Sequence, residues 1–136
     1  QAWGNQVPGR STPFDWLSRD PEEVRKYIND PLCGWDASVS LWQDLFDLVF
    51  RGADDRNFSH IDRQLPINLV GGASDPATDS GKAVREFDAR LNRMGFSNVT
   101  ATVYAETRHE SLNEINRDIV MADFCEWLSN TFFARP

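Results

Sequence analysis

A carboxylate at Asp75 and an imidazole at His109 stand just beyond two strand-like runs, Leu65–Gly72 and Val99–Tyr104, with one helical segment between them. In an open α/β sheet, side chains that follow parallel strands gather at one edge, where such sheets hold their ligands. An imidazole moves protons in both directions near neutrality, because its unperturbed pKa is about 6.5. An ionised carboxylate only accepts hydrogen bonds, so it can hold the ring N–H and fix the tautomer. A base and its orienting acid are therefore both present. A serine on a sharp strand-to-helix turn of the form G-x-S-x-G is not, and the pair reads as half of an acyl-transfer site.

Taken locally, these residues also have plainer readings. Ser74-Asp75-Pro76 is ordinary loop and helix-start sequence, and His109, between Arg108 and Glu110, fits a solvated loop. Asp62 and Asp79 follow no strand end directly and read as turn and cap residues. Ser74 and Ser111 lack the paired glycines and helix entry of a nucleophile elbow. His60 reads as structural, and Glu110 and Glu114 as capping and charging the start of the last helix.

The elements that must position the pair follow from periodicity and turn chemistry. Gly4, Pro8, Gly9 and Pro13 mark Gln1–Pro13 as an irregular entry segment. Ser18-Arg19-Asp20-Pro21-Glu22-Glu23 supplies a cap, a first-turn proline and acids, predicting a helix to about Asn29, ended by Asp30-Pro31 and Cys33-Gly34. From Ser38 to Phe50 the apolar residues spread beyond a single stripe, so this helix expects cover on two sides. Leu65–Gly72 is a short apolar run that starts beside a proline and ends in glycines, the pattern of a buried parallel strand. Within it, Asn68 needs a hydrogen-bond partner if buried. Val84, Phe87, Leu91 and Met94 recur at helical spacing before the stop at Gly95, predicting a crossover helix from about Asp79 to Met94. A last helix from about Asn113 to Phe132 is expected to pack Val120, Phe124, Trp127, Leu128 and Thr131 on the sheet.

Strand, helix, strand gives a right-handed βαβ unit, but two strands alone leave open edges and too little core. The chain thus reads as built to complete something larger. Its 136 residues carry a net charge of −7, which disfavours nucleic acid and anionic membrane surfaces as partners. Cys33 and Cys125 lie far apart without C-x-x-C spacing, so they read as buried free thiols rather than a disulfide or zinc site. No run approaches the roughly 20 apolar residues of a membrane span, and no signal sequence opens the chain. A cytoplasmic location is expected, although Gln1 in place of Met leaves open a removed leader, an artificial boundary or a cut.

Two stretches carry a resemblance: Leu65-Pro66-Ile67-Asn68-Leu69-Val70-Gly71-Gly72-Ala73-Ser74-Asp75-Pro76, and Val103-Tyr104-Ala105-Glu106-Thr107-Arg108-His109-Glu110-Ser111-Leu112-Asn113-Glu114. Together they resemble the C-terminal half of α/β-hydrolases of the serine aminopeptidase, lysophospholipase and monoacylglycerol-lipase-like group. The resemblance implies an α/β fold with about two parallel strands, flanking helices and the end of a lid. Residues 1–36 would be the lid end and return to the core, on the likeness of Phe14–Asp20 and Asp30–Gly34, and residues 37–136 the C-terminal portion of the core.

By the same resemblance Asp75 is the triad acid and His109 the triad base, with no metal and no organic cofactor. The serine and oxyanion-hole amides would lie upstream of Gln1, and this chain alone would be inactive. The implied activity is hydrolysis of carboxylic esters such as monoacylglycerol or lysophospholipid. Trp3, Phe14, Trp16 and Trp35 would then either line an acyl pocket or pack in the core. Expected partners are the missing N-terminal half, a second subunit or another copy meeting the open sheet edge. The rival readings are a non-catalytic chain that binds a partner or oligomerises, and one subunit of a split hydrolase.

Overall fold

The computed structural model describes residues 3–133; Gln1 and Ala2 of the entry segment and the last three positions of the 37–136 portion lie outside the described residues. Asp20 opens α1 (Pro21–Asn29) by accepting the Glu22 amide, with Pro21 in the first turn as expected. Ser38 likewise caps α2 (Val39–Ala53) at the Leu41 amide, and this helix runs three residues past Phe50.

Strand β1 (Ile67–Gly72) starts two residues later than expected, because the Leu65 amide is used in a turn to the Asp62 carbonyl. Asp62 itself accepts the Gln64 amide, the turn role read from sequence. Strand β2 (Val99–Tyr104) pairs with β1 in parallel, from Ile67 opposite Val99 to Gly72 opposite Tyr104. Between them lies α3 (Lys82–Arg93). It begins later than predicted because Asp79, Ser80 and Gly81 take φ of 51°, 57° and 76°, a left-handed run that no α-helix contains. Gly95, at φ 88°, supplies the expected stop.

The last helix, α4, spans Arg117–Leu128 and continues into a π-type turn over Ser129–Phe133. Its predicted start at Asn113 is wrong by a full turn. Glu114 is extended (φ −86°, ψ 166°) and its side chain is fully buried, so it neither caps nor charges a first turn. Asn116 precedes α4 without a capping bond, since its side chain is taken by Thr107 and Arg19.

Two packing expectations are corrected. No residue of α2 is buried, so the cover its sequence asks for is not provided by the described residues. Of the face predicted for α4, Val120 is buried, Trp127, Leu128 and Thr131 are half-buried and Phe124 is exposed, stacked on Trp127 at 5.8 Å. A polar link joins α4 to the sheet: Tyr104 donates its hydroxyl to Asp123 at 2.8 Å, and burial with that carboxylate pushes the phenol up to about 12.

The core is small: Val7, Leu17, Val24, Leu91, Phe96 and Val120. Asn68 in β1 has its Oδ1 buried without a partner among the described residues. Cys33 is half-buried and Cys125, on α4, is exposed, both as free thiols, which corrects the buried reading. His60 is exposed in a surface turn. No described helix is long and apolar enough to cross a membrane.

Candidate active site

Two loops, one after each strand, meet at the sheet edge. Glycine at position 72 makes this possible, since a Cβ there would collide with the backbone carbonyls of Thr107 and Arg108. The strand pairing then continues into the loops: the Ala73 amide donates to Tyr104 and the Ser74 amide to Thr107, each at 2.8 Å. This stitching places Asp75 and His109 side by side, with His109 Nδ1 3.1 Å from Asp75 Oδ2.

Asp75 is 2 % exposed. Besides the imidazole, its carboxylate accepts the Ala77 amide and the Thr78 hydroxyl, both at 2.9 Å, which also caps the short 3₁₀ turn Pro76–Thr78. Burial pushes the carboxyl up, but hydrogen bonds from His109, Ala77 and Thr78 outweigh it and hold Asp75 below its ordinary value. It stays an ionised acceptor at neutral pH.

The hydrogen bond to Asp75 raises His109 above the ordinary imidazole value, with the charges of Asp75 and Glu110 adding and burial opposing. Its side chain is 41 % exposed. Because Nδ1 is committed to Asp75, Nε2 is the nitrogen left to exchange a proton with a reacting group.

The entry segment reaches the same place. Trp16 packs its indole on the imidazole, with ring centroids 4.7 Å apart, and Trp3 packs on Trp16 at 4.8 Å. The Trp16 carbonyl accepts the His109 amide at 3.3 Å and the Leu17 carbonyl the Glu110 amide at 2.8 Å. Phe14 instead packs on Tyr27, and Trp35 is exposed with its indole N–H on Leu32. A polar cavity of about 430 Å³ adjoins the Asp75 loop, lined by Gln6, Arg19, Ser74, Ser80 and Arg108 among others.

Neither Ser74, exposed, nor Ser111, buried, hydrogen-bonds to His109. Asp79 holds Lys82 through its carbonyl and an ion pair of 3.5 Å. Among the described residues, no group of three His, Cys, Asp or Glu side chains is arranged to hold a metal ion. Sequence reasoning passed over Thr78, although a hydroxyl three residues after Asp75 is a local capping signal. It also left the role of Trp16 open, since no local signal joins that ring to a histidine far along the chain.

The family model for serine aminopeptidase, S33, matches residues 2–116, which include both loops. No curated protein matches. Among solved structures, the chain is similar to a highly thermostable carboxyl esterase from Bacillus coagulans in complex with glycerol (TM-score 0.83, 23 % identity). It is also similar to a protein described as a lipase in its open form (TM-score 0.80, 28 % identity). Each likeness covers 94 % of this chain but 42 % of the other, so the chain spans about two fifths of these neighbours. The match over most of its length, with two parallel strands and flanking helices in the same arrangement, shows that the chain belongs to the serine aminopeptidase, S33 family and holds part of an α/β-hydrolase fold.

Proposed function

We propose that this chain supplies the acid and base of a serine hydrolase acting on carboxylic esters of the monoacylglycerol or lysophospholipid kind. The observation that carries the reading is the 3.1 Å contact between His109 Nδ1 and Asp75 Oδ2 on loops following two parallel strands. Family membership and the likeness to a lipase support it. In this reading residues 1–36 are the lid end and residues 37–136 the C-terminal core portion. A cytoplasmic location suits the two free thiols.

The chemistry follows from the hydrogen bonds. His109 Nε2 takes the proton of a serine hydroxyl as the oxygen attacks the ester carbonyl, then returns it to the departing alcohol. Asp75 keeps the tautomer with the proton on Nδ1 and stabilises the imidazolium. Water repeats the cycle on the acyl-enzyme. The serine and the oxyanion donors come from sequence beyond these 136 residues, which contain no G-x-S-x-G. The chain alone is then inactive, since loss of the nucleophile costs on the order of 10⁶ in kcat.

The test is labelling of the complete protein by a serine-directed fluorophosphonate, together with turnover of monoacyl esters of graded chain length. Labelling and turnover that both collapse in His109→Ala support the reading. Turnover unchanged in that variant overturns it.

A second reading rests on α2, none of whose residues is buried. A face of that kind serves a non-catalytic chain that binds a partner or a second copy, or a split hydrolase whose other subunit brings the serine. Co-purification of a serine-bearing subunit separates the last of these from the other two.

A further inference from the structure

We propose that Glu114 is the positioning residue for His109, acting by fastening the strap of residues 15–19 to the histidine loop. The inference rests on the ester-hydrolase reading above.

Glu114 is 0 % exposed. A carboxylate removed from water is costly unless its lone pairs are matched by donors, and here they are. Oε1 accepts the amides of Arg19 at 3.0 Å and Arg108 at 2.9 Å. Oε2 accepts Arg19 Nε at 2.9 Å and the Ile115 amide at 3.0 Å. All four partners are donors, so the acceptor-only carboxylate is the form that satisfies them.

Three of those donors come from the two segments that bracket the imidazole. Arg108 immediately precedes His109, and Arg19 closes the strap that carries Trp16. From the other side, Arg108 Nη1 donates to the Asp15 carbonyl at 2.6 Å and the Ser18 carbonyl at 3.1 Å. The Ser18 hydroxyl donates to the Asn113 carbonyl at 2.8 Å. The strap in turn holds the histidine by its backbone, through the Trp16 carbonyl, and by its ring, through the Trp16 indole. Releasing Glu114 removes its bonds to Arg19 and to the Arg108 amide, leaves the Arg108 guanidinium and the backbone bonds to Trp16 and Leu17 to hold strap and loop together, and slackens both restraints on His109.

Substitution by glutamine keeps the size of the side chain but sets an amide NH₂ against two N–H donors, whichever way it turns. In the complete enzyme, Glu114→Gln should lower kcat by about tenfold or more, as sub-ångström misplacement of a catalytic group does, with KM held within about twofold. The imidazole should also titrate closer to its ordinary value of about 6.5, because its bond to Asp75 is less populated. Loss of the Glu114 charge acts in the same direction, whereas Arg19→Gln removes a positive charge and by charge alone would raise the value, so a fall in both variants reports the weakened bond. NMR of the ring C–H protons reads this, the His109 resonance being the one absent from His109→Ala. Arg19→Gln, which removes the guanidinium with its bonds to Glu114, Asn116 and Glu106 but leaves the Arg19 amide on Glu114, should move both readouts in the same direction by less, and it carries the test if Glu114→Gln does not fold.

Wild-type kcat and a wild-type His109 titration, with only the melting temperature lowered, would overturn the inference. If His109→Ala keeps full turnover, the ester-hydrolase reading fails, and the titration of His109 in Glu114→Gln still decides whether Glu114 positions the ring.

Discussion

Around His109 the buried polar groups find partners within the chain: Asp75 has three donors and Glu114 four. Along α2 the opposite holds, and Trp42, Leu45, Phe46 and Phe50 face solvent. The contrast reflects two kinds of interaction. Hydrogen bonds are short and directional, so a few segments can satisfy one another completely. Apolar burial scales with area and needs a second surface of matching size. The side of the Asp75–His109 pair is thus finished in its hydrogen bonds, while the α2 side leaves its apolar area uncovered among the described residues.

The contrast can be broken first at the finished side. In the complete enzyme, His109→Ala should lower kcat by about 10⁴–10⁶ and Asp75→Asn by about 10⁴, the latter by holding the wrong tautomer. Steady-state kinetics with KM nearly unchanged checks both. A loss under tenfold for Asp75→Asn would mean that the pairing with His109 is structural only.

The unfinished side gives the next largest effect and sharpens the comparison. Phe46→Asp on α2 should destabilise the complete protein by about 2–4 kcal/mol, as a charge placed in a buried contact does. In this chain alone the cost should stay within about 0.5 kcal/mol, because the position is exposed. Urea unfolding of both forms decides it, and equal effects in the two would show that α2 is an ordinary surface helix.

A smaller change is expected at Thr78, whose hydroxyl donates to Asp75. Thr78→Ala removes one of three donors at a net cost of about 1 kcal/mol, and kcat should fall several-fold with the site otherwise intact.

The smallest effect lies in the pH dependence of stability. Asp75 is held below its ordinary value, so its contribution is present above about pH 4 and is lost as pH falls through the folded pKa. His109 is raised, so its contribution is complete below about pH 6.5 and is lost as pH rises through the folded pKa. The pair therefore stabilises most between about pH 4 and 6.5, weakly, because the imidazole is part exposed. Denaturation midpoints followed across pH in wild type and Asp75→Asn measure it.

Much of this molecule was legible without its structure. The cap before Pro21, the strand Val99–Tyr104 and the stop at Gly95 rest on signals within a few residues, and they appear where the sequence places them. Asp75 and His109 were legible only as paired motifs, since each alone reads as an ordinary loop residue. The starts of α3 and α4 were not legible. One depends on three successive left-handed residues, the other on a carboxylate drawn out of the helix into a buried cluster.

By itself, the sequence determined the order of the elements and the loops after two strands on which Asp75 and His109 stand, because periodicity and turn chemistry act locally. Only the tertiary structure decided that Thr78 and Trp16 touch that pair, that Glu114 joins Arg19 to Arg108, that Cys125 is exposed, and that α2 stands uncovered among the described residues. These outcomes turn on contacts between residues as far apart as Arg19 and Glu114, separated by 95 positions. Burial and hydrogen bonding across such distances depend on which surfaces fold together, and no local pattern records that.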